Sequence, residues 1–276
     1  MFAMTMRRAA AMLAAACAMA AALPAWADLG KLRESGTLKV AVYKDMPPFY
    51  GNAGGIDVDL AQALAEKLGL KLSLLPFPAG DDLNDDLRNM VWKGHYLGYG
   101  PADVMLHVPV DRRLMAQNDK VEIFAPYYRE TLRLVRSVKR VPQFAGLDSL
   151  AGKRIGVEQV SISGMLMLGE QNGRFRDAVK IYPTEADALA ALKSGDVDAV
   201  LANRSGIEAA LHGDADYALE EVAFQRMPSR GWVVGMAVKK ESRDLAEALQ
   251  KAADELTASG EMARIFTRHG VQPVTP

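Results

Sequence analysis

Cysteine is almost absent from this chain of 276 residues, which has only Cys17. Because Cys17 lies in a segment that we expect to be removed, the mature chain can form no disulfide. The histidines show none of the spacings of a zinc site; they are His95, His107, His212 and His269. The chain also lacks a Gly-x-Ser-x-Gly nucleophile motif and a glycine-rich phosphate loop. These absences argue against structural zinc and against nucleophilic catalysis.

The chain also lacks an excess of positive or of negative charge. The chain has 33 basic and 34 acidic residues and a formal net charge of −1. This balance gives no indication of nucleic-acid binding or of attraction to an anionic membrane. After the N-terminal segment, no apolar run is long enough to cross a membrane. The remaining length, about 250 residues, suffices for one large domain or for two lobes with good cores.

The N-terminus has the three parts of a secretory signal. Arg7 and Arg8 precede an apolar run at 9–23, and Ala25-Trp26-Ala27 forms a small-x-small cleavage box. This order predicts a cleaved signal peptide at 1–27 and export to the periplasm.

Two other interpretations of this segment are less favoured. A lipoprotein anchor on Cys17 would need a large aliphatic residue in the box before it, where the chain has three alanines. A retained membrane anchor is disfavoured because the apolar run is shorter than the roughly 20 residues of a spanning helix.

Strand-like and helix-like runs alternate along the mature chain. Strands are predicted at 38–43, 71–75, 103–108, 154–158, 179–182, 197–202 and 232–239. Helical spacing occurs at 58–68, 82–92, 186–193 and, in two helices broken near Gly260, at 245–266. This alternation predicts an α/β fold with mostly parallel sheets covered on both faces.

The most informative stretch is 102–135. It reads as a buried strand, a polar turn and a second extended run opened by Pro126-Tyr127-Tyr128. Further segments in a characteristic order are LKVAVYKDMPPF, GIDVDLAQALAEKLGL, LAGKRIGVE, ALAALKSGDVDAVLAN and GWVVGMAVKKES. On this ordered set, which spans 36–270, the chain resembles the type II periplasmic solute-binding proteins of the amino-acid-binding kind, family 3.

The resemblance implies two α/β lobes joined by two crossing strands. Lobe one would comprise 28–128 plus 239–276, and lobe two with the hinge strands 129–238. It implies a non-catalytic, monomeric protein that captures a small polar solute between its lobes, either for an ABC transporter or for an alcohol dehydrogenase system that depends on pyrroloquinoline quinone. No cofactor is expected.

Ligands of open parallel sheets bind where strands end and helices begin. That rule selects the loops 45–50, 80–85, 107–113, 159–163 and 203–205. The candidate ligand-binding residues are Asp45, Phe49, Tyr50, His107, Arg112, Arg113, Ser161, Ser163, Asn203 and Arg204.

Several of these candidates have a structural alternative. The resemblance implies that Phe49 packs on the solute, but Phe49 could equally cover the sheet edge in a turn fixed by prolines. It implies that Arg112 or Arg113 holds a solute carboxylate, although both could be solvated surface charges. Ser161 could simply cap a helix.

The residues after the strand at 197–202 bear on the solute. Family members tend to have an aspartate there that receives an ammonium group, whereas this chain has Asn203 followed by Arg204. An asparagine cannot neutralise an ammonium ion, and a nearby arginine would repel one. We therefore expect an anionic, neutral or oxygenated solute rather than a standard α-amino acid.

A narrower resemblance rests on the spacing DVM-x-x-VP…PYYR-x-T and on Leu87-Arg88-Asn89. It is similar to the binding-protein-like partners of quinoprotein alcohol dehydrogenases, which use pyrroloquinoline quinone. It implies an alternative function, an accessory protein that binds a dehydrogenase or cytochrome and has lost solute binding. The loop 95–101, with Trp92 nearby, could supply the apolar docking patch, or it could fold onto its own lobe.

Metal and enzyme functions are disfavoured. The acidic run 81–86 fails as a calcium loop, because Leu87 and Lys93 stand where glycine and glutamate are needed. A helix start explains the run more simply. An enzyme of this fold would need an acid or base in the cleft, for which Asp45 and Glu158 are the only obvious carboxylates.

Overall fold

Two separate mixed sheets of five strands each form the framework of the protein in its computed structural model. The structure describes residues 27–211, 213–224, 227 and 231–276. The predicted signal peptide up to residue 26, Cys17 and His212 lie outside the described residues.

The strands, numbered in chain order, alternate with helices as predicted. The strands are β1 Thr37–Tyr43, β2 Lys71–Phe77, β3 Val104–Pro109, β4 Val121–Glu130, β5 Leu132–Ser137, β6 Ile155–Glu158, β7 Val179–Tyr182, β8 Ala199–Asn203, β9 Tyr217–Glu220 and β10 Trp232–Lys239. The α-helices are α1 Ala27–Ser35, α2 Ile56–Leu68, α3 Leu83–Leu87, α4 Arg112–Gln117, α5 Ile162–Gly169, α6 Glu185–Ser194, α7 Arg204–Leu211, α8 Arg243–Ala258 and α9 Glu261–Arg268. Helix α3 continues as a π-helical turn over Arg88–Trp92.

The two sheets share one plan. The first has the order β2-β1-β3-β10-β4, and the second has the order β7-β6-β8-β5-β9. In each, three parallel strands are followed by two strands in antiparallel pairing. Parallel strands need helical crossovers, which cover both faces and explain why β1, β3 and β8 are almost wholly apolar.

The chain passes between the lobes at two places. Strand β4 leaves the first sheet at Glu130, and β5 enters the second sheet after the single residue Thr131. Strand β10 returns to the first sheet, where it pairs with both β3 and β4 along its length. All of β10 therefore belongs to the sheet of lobe one, whereas the sequence boundaries grouped most of it with lobe two.

The C-terminal helices complete lobe one. Leu245, Leu249 and Phe266 are buried in the same core as Val40 of β1 and Leu60 of α2. Truncating a buried side chain of this size typically costs about 2–5 kcal/mol of stability. Helices α8 and α9 are therefore part of the lobe rather than an appendage, as the resemblance implied.

Four of the numbered elements were not predicted from the sequence, and the first is helix α1. Helix α4 occupies the stretch that we interpreted as a polar turn, and α7 and β9 lie beyond the last predicted strand of lobe two. In the described part of the chain, no helix combines the length and apolarity needed to span a bilayer.

Candidate functional site

Glu185 is the first residue of α6 and lies at the end of lobe two where β6 and β8 finish. Its Oε2 accepts a hydrogen bond of 2.9 Å from the backbone N–H of Asn203. Its Oε1 fills the space left by Gly206, where a Cβ would lie only 1.7 Å from that oxygen. Burial raises the pKa of Glu185 to about 8. The negative charges of Glu130 and Glu158 add to this rise, whereas the hydrogen bond from Asn203 opposes it.

Two more glutamates stand close to Glu185. Glu130, at the end of β4, is 2% exposed and accepts bonds from the backbone N–H of Thr131 and from the hydroxyl of Ser205. Burial raises its pKa, while those bonds and the charge of His107 oppose the rise. Burial also raises the pKa of Glu158, which the N–H of Glu185 partly offsets. The three carboxylates thus form a group that reaches from lobe two to the hinge.

Among the described residues, no lysine or arginine is paired with this group. Within the described ranges, neither Glu130, Glu158 nor Glu185 forms a salt bridge with a lysine or arginine. Carboxylates removed from water without a counter-charge are costly to ionise, which accounts for the raised pKa values. Three carboxyl groups in this arrangement could bind a cationic group.

Lobe one carries a second polar group, at the start of α2 and near the end of β3. Asp57, near the start of α2, is 1% exposed and accepts a hydrogen bond of 3.0 Å from the hydroxyl of Tyr127. Its other oxygen lies 3.4 Å from Nδ1 of His107. The Tyr127 oxygen in turn accepts a bond of 2.9 Å from the backbone N–H of His107. His107 is thus held through both its backbone and its ring.

The predicted residues of the first loop lie in two environments. Phe49 is 3% exposed and packs on His107, Tyr128 and Phe266, so in this conformation it offers little surface to a solute. Tyr50 is partly buried against the same core. Asp45 is exposed, with a left-handed φ of 58°.

The predicted arginines of lobe one lie on the surface. Arg112 and Arg113 open α4 after the capping residue Asp111, and both are exposed. Neither has an ion-pair partner among the residues that the structure describes. Their role in holding a carboxylate remains a prediction.

The serines of lobe two lie at the start of α5. Ser161 caps the helix by accepting a bond of 3.0 Å from the N–H of Gly164, and its hydroxyl lies 2.8 Å from that of Ser163. Ser163 is 4% exposed. Ser161 therefore caps the helix, and its contact with a ligand remains a prediction.

Arg204 is paired with a neighbour on its own helix. Its Nε lies 2.6 Å from Oε1 of Glu208, one turn along α7, so its charge is already paired. The expected repulsion of an ammonium group by Arg204 is therefore weakened. Asn203 contributes its backbone N–H to Glu185. A carboxylate, that of Glu185, thus lies directly beside Asn203.

Sequence reasoning missed Glu185, Glu130 and Asp57. Glu185 could have been found by applying the strand-end rule to β7 as well, because it follows that strand and the helix cap Thr184. The role of Asp57 has no comparable signal, since an acidic residue in the first turn of a helix is ordinary.

The acidic run 81–86 belongs to local structure. Asp82 caps α3 by accepting a bond of 2.9 Å from the N–H of Asn84. Asp86 accepts bonds from Tyr43 and from the backbone of Gly80. Among the described residues, no three His, Cys, Asp or Glu side chains are placed so that they could hold a metal ion together.

Val160 adds strain to the loop before α5. It is 98% exposed and has a left-handed φ of 51°, a conformation that is rare for a β-branched residue. We expect Val160→Gly to raise the free energy of unfolding by about 1 kcal/mol, because the left-handed cost of roughly 1–2 kcal/mol is removed. Denaturant unfolding measures this change. The same substitution at exposed Val138, which has no left-handed φ, should destabilise; a loss at both sites would contradict the assignment of strain.

A cavity of about 520 Å³ lies elsewhere, between α7 and β9 of lobe two and the C-terminal segment around Val271. It is not at the carboxyl ends of the parallel strands, where ligands of such sheets bind. We therefore place the candidate site in the interlobe cleft.

Comparison with solved structures identifies the architecture. An ancestral cationic amino acid solute-binding protein superposes with a TM-score of 0.68 at 18% identity, covering 88% of this chain and 99% of that one. An amino acid ABC transporter substrate-binding protein of Streptococcus pneumoniae, bound to L-arginine, superposes with a TM-score of 0.61 at 21% identity, covering 91% and 100%. The chain has the type II periplasmic binding protein fold. The predicted fold class is confirmed.

Sequence relatives agree with this architecture. The L-cystine-binding protein TcyJ of Escherichia coli K12 is 24% identical over 238 residues, which cover 84% of this chain and 82% of that protein. A cyclohexadienyl dehydratase of Pseudomonas aeruginosa is 47% identical, but over only 53 residues. No family model matches the chain. TcyJ, which aligns along most of the chain, is a binding protein, in agreement with the prediction that the chain is not an enzyme.

Proposed function

We propose that this protein is a periplasmic receptor of an ABC transporter that binds a solute with an ammonium group, of the amino-acid class, between its lobes. The observation that carries the proposal is the group Glu130, Glu158 and Glu185, which has no cationic partner among the described residues. A cation on the solute would supply the missing charge. A charge-assisted bond of this kind is worth about 1.5–3 kcal/mol.

The named relatives support the same class of solute. One is named for L-cystine, one for cationic amino acids, and one was solved with L-arginine. All these solutes carry ammonium or guanidinium groups. The hinge of β4 and β10 would allow the lobes to close on the solute, as other two-lobed binding proteins do.

A thermal-shift screen of residues 28–276 tests the proposal. The screen would contain the standard L-amino acids, L-cystine, simple carboxylates, alcohols and pyrroloquinoline quinone. At a solute concentration near 100 times the dissociation constant, we expect an amino acid to raise the melting temperature by about 5–10 °C. A shift with carboxylates or alcohols alone, or no shift with any compound, would contradict the proposal.

A protein-interaction function is the second candidate, and one observation favours it. Tyr96 and Leu97 are 88% and 68% exposed at the tip of a loop that His95 and Tyr99 brace by ring stacking at 4.2 Å. Docking of a quinoprotein dehydrogenase would use this tip. Binding of such a dehydrogenase to the wild type, lost on Tyr96→Ala and Leu97→Ala, would support this candidate.

A further inference from the structure

Strands β3, β10 and β4 of the first sheet are each irregular near His107. His107 has a left-handed φ of 61° inside β3, and Ala125 has a φ of 46° inside β4. Strand β10, which lies between them, shifts its register between Gly235 and Ala237. Bulges of this kind re-aim a side chain, and strain held at one place indicates a functional constraint there.

Asp57 orients the imidazole ring of His107, which lies at this distorted part of the sheet. Its Oδ2 and the Nδ1 of His107 are both buried, lie 3.4 Å apart and have no other partner. A carboxylate beside one ring nitrogen fixes the orientation of the ring and turns the opposite nitrogen away from it. Tyr127 fixes Asp57 from the other side at 3.0 Å.

The opposite ring nitrogen, Nε2, is left for another molecule. It is not among the enclosed polar atoms, and nothing in the described part of the chain bonds to it. The ring stays 11% exposed, although Phe49 packs edge-on against it at 4.1 Å. The charge of His107 also acts on Glu130, so the ring lies within electrostatic range of the hinge carboxylate.

We infer that His107, held by Asp57, presents its Nε2 to the anionic group of the solute. This inference rests on the proposed function and adds the orientation of the solute. The carboxylate of a zwitterionic amino acid points to lobe one, and its ammonium group points to Glu185 and Glu158 in lobe two. The exposed Arg112 and Arg113 are then not required for the carboxylate.

Paired ligands and a matched variant test the orientation. Each amino acid that binds in the screen is titrated calorimetrically beside its decarboxylated amine, for example L-arginine beside agmatine and L-cystine beside cystamine. The variant is His107→Asn, because asparagine also tolerates a left-handed φ. The control is His269→Asn, since His269 likewise pairs with a carboxylate, Asp59, at 3.0 Å.

We expect the wild type and His269→Asn to prefer the amino acid over its amine by about 10- to 100-fold. His107→Asn should lose most of this preference while binding the amine as the wild type does. Equal wild-type affinity for amino acid and amine, or an unchanged preference in His107→Asn, would overturn the inference but leave the proposed function standing. Failure of the wild type to bind any amino acid or amine would overturn both.

Discussion

Glu185→Gln is expected to weaken binding of an ammonium-bearing solute by about 10- to 100-fold and to stabilise the empty protein at alkaline pH. The affinity falls because the variant replaces a charge-assisted bond with a neutral one. The geometry is retained, since glutamine can still accept from the Asn203 N–H and fits beside Gly206. Calorimetric titration measures the change in affinity.

The gain in stability follows from proton linkage. The pKa of Glu185 rises from 4.5 to about 8 on folding, so the folded state holds a proton that the unfolded chain has lost. The free energy of unfolding therefore falls as the pH rises from about 4.5 to about 8. Glutamine does not titrate, so the variant lacks this pH dependence. Near pH 9 we expect its free energy of unfolding to exceed that of the wild type by about 2 kcal/mol. This gain is well below the one that the whole pKa shift would give, because the site is partly exposed to solvent.

Glu255→Gln serves as the control for both effects. Glu255 forms a surface pair with Lys67 at 3.1 Å, far from the cleft, and its loss should change affinity and stability little. If Glu185→Gln bound the solute as tightly as the wild type, the carboxylate would not be part of the site. If it lowered stability at pH 9, the raised pKa would be contradicted.

Gly231→Ala is expected to cost about 3 kcal/mol of stability. Gly231 precedes β10 with a φ of +67°, and a Cβ there would lie 1.8 Å from the backbone oxygen of Glu130. Backbone of β4 cannot move aside without disturbing the β4–β10 pairing that forms the hinge. The penalty combines a left-handed cost of roughly 1 kcal/mol with an overpacking cost of roughly 1–3 kcal/mol.

Gly213→Ala isolates the first of these costs. Gly213 has a φ of +72° and no heavy atom within 4 Å of the added Cβ. We expect this variant to lose only about 1 kcal/mol in denaturant unfolding. Equal losses at Gly213 and Gly231 would show that the close approach at the hinge has no energetic effect.

The sequence was informative where periodicity and chain order carry the signal. The α/β alternation, the C-terminal helix pair broken at Gly260 and the crossing near Tyr128 are all found in the structure. Apolar spacing reports which face of an element is buried, and this decides the fold class. Short elements such as α4 have too few residues for a period to be visible.

The site was less predictable because it depends on contacts between distant residues. Arg204 forms an ion pair with Glu208, and this pairing weakens the repulsion that its charge would exert on a cationic solute. Glu185 gains its position from Asn203 and Gly206, which are 18 and 21 positions away in the sequence. His107 was selected by its place at a strand end, but its orientation depends on Asp57, 50 positions earlier.

The central claim is that an ammonium-bearing solute binds in the cleft against Glu185. Its most direct test is calorimetric titration of the best amino acid at pH 7 in two buffers of different ionisation enthalpy. With a pKa of about 8, Glu185 is mostly protonated before binding and should ionise against the solute cation. The account predicts release of close to one proton per solute, abolished in Glu185→Gln. Binding with no proton release, or release that persists in Glu185→Gln, would contradict it.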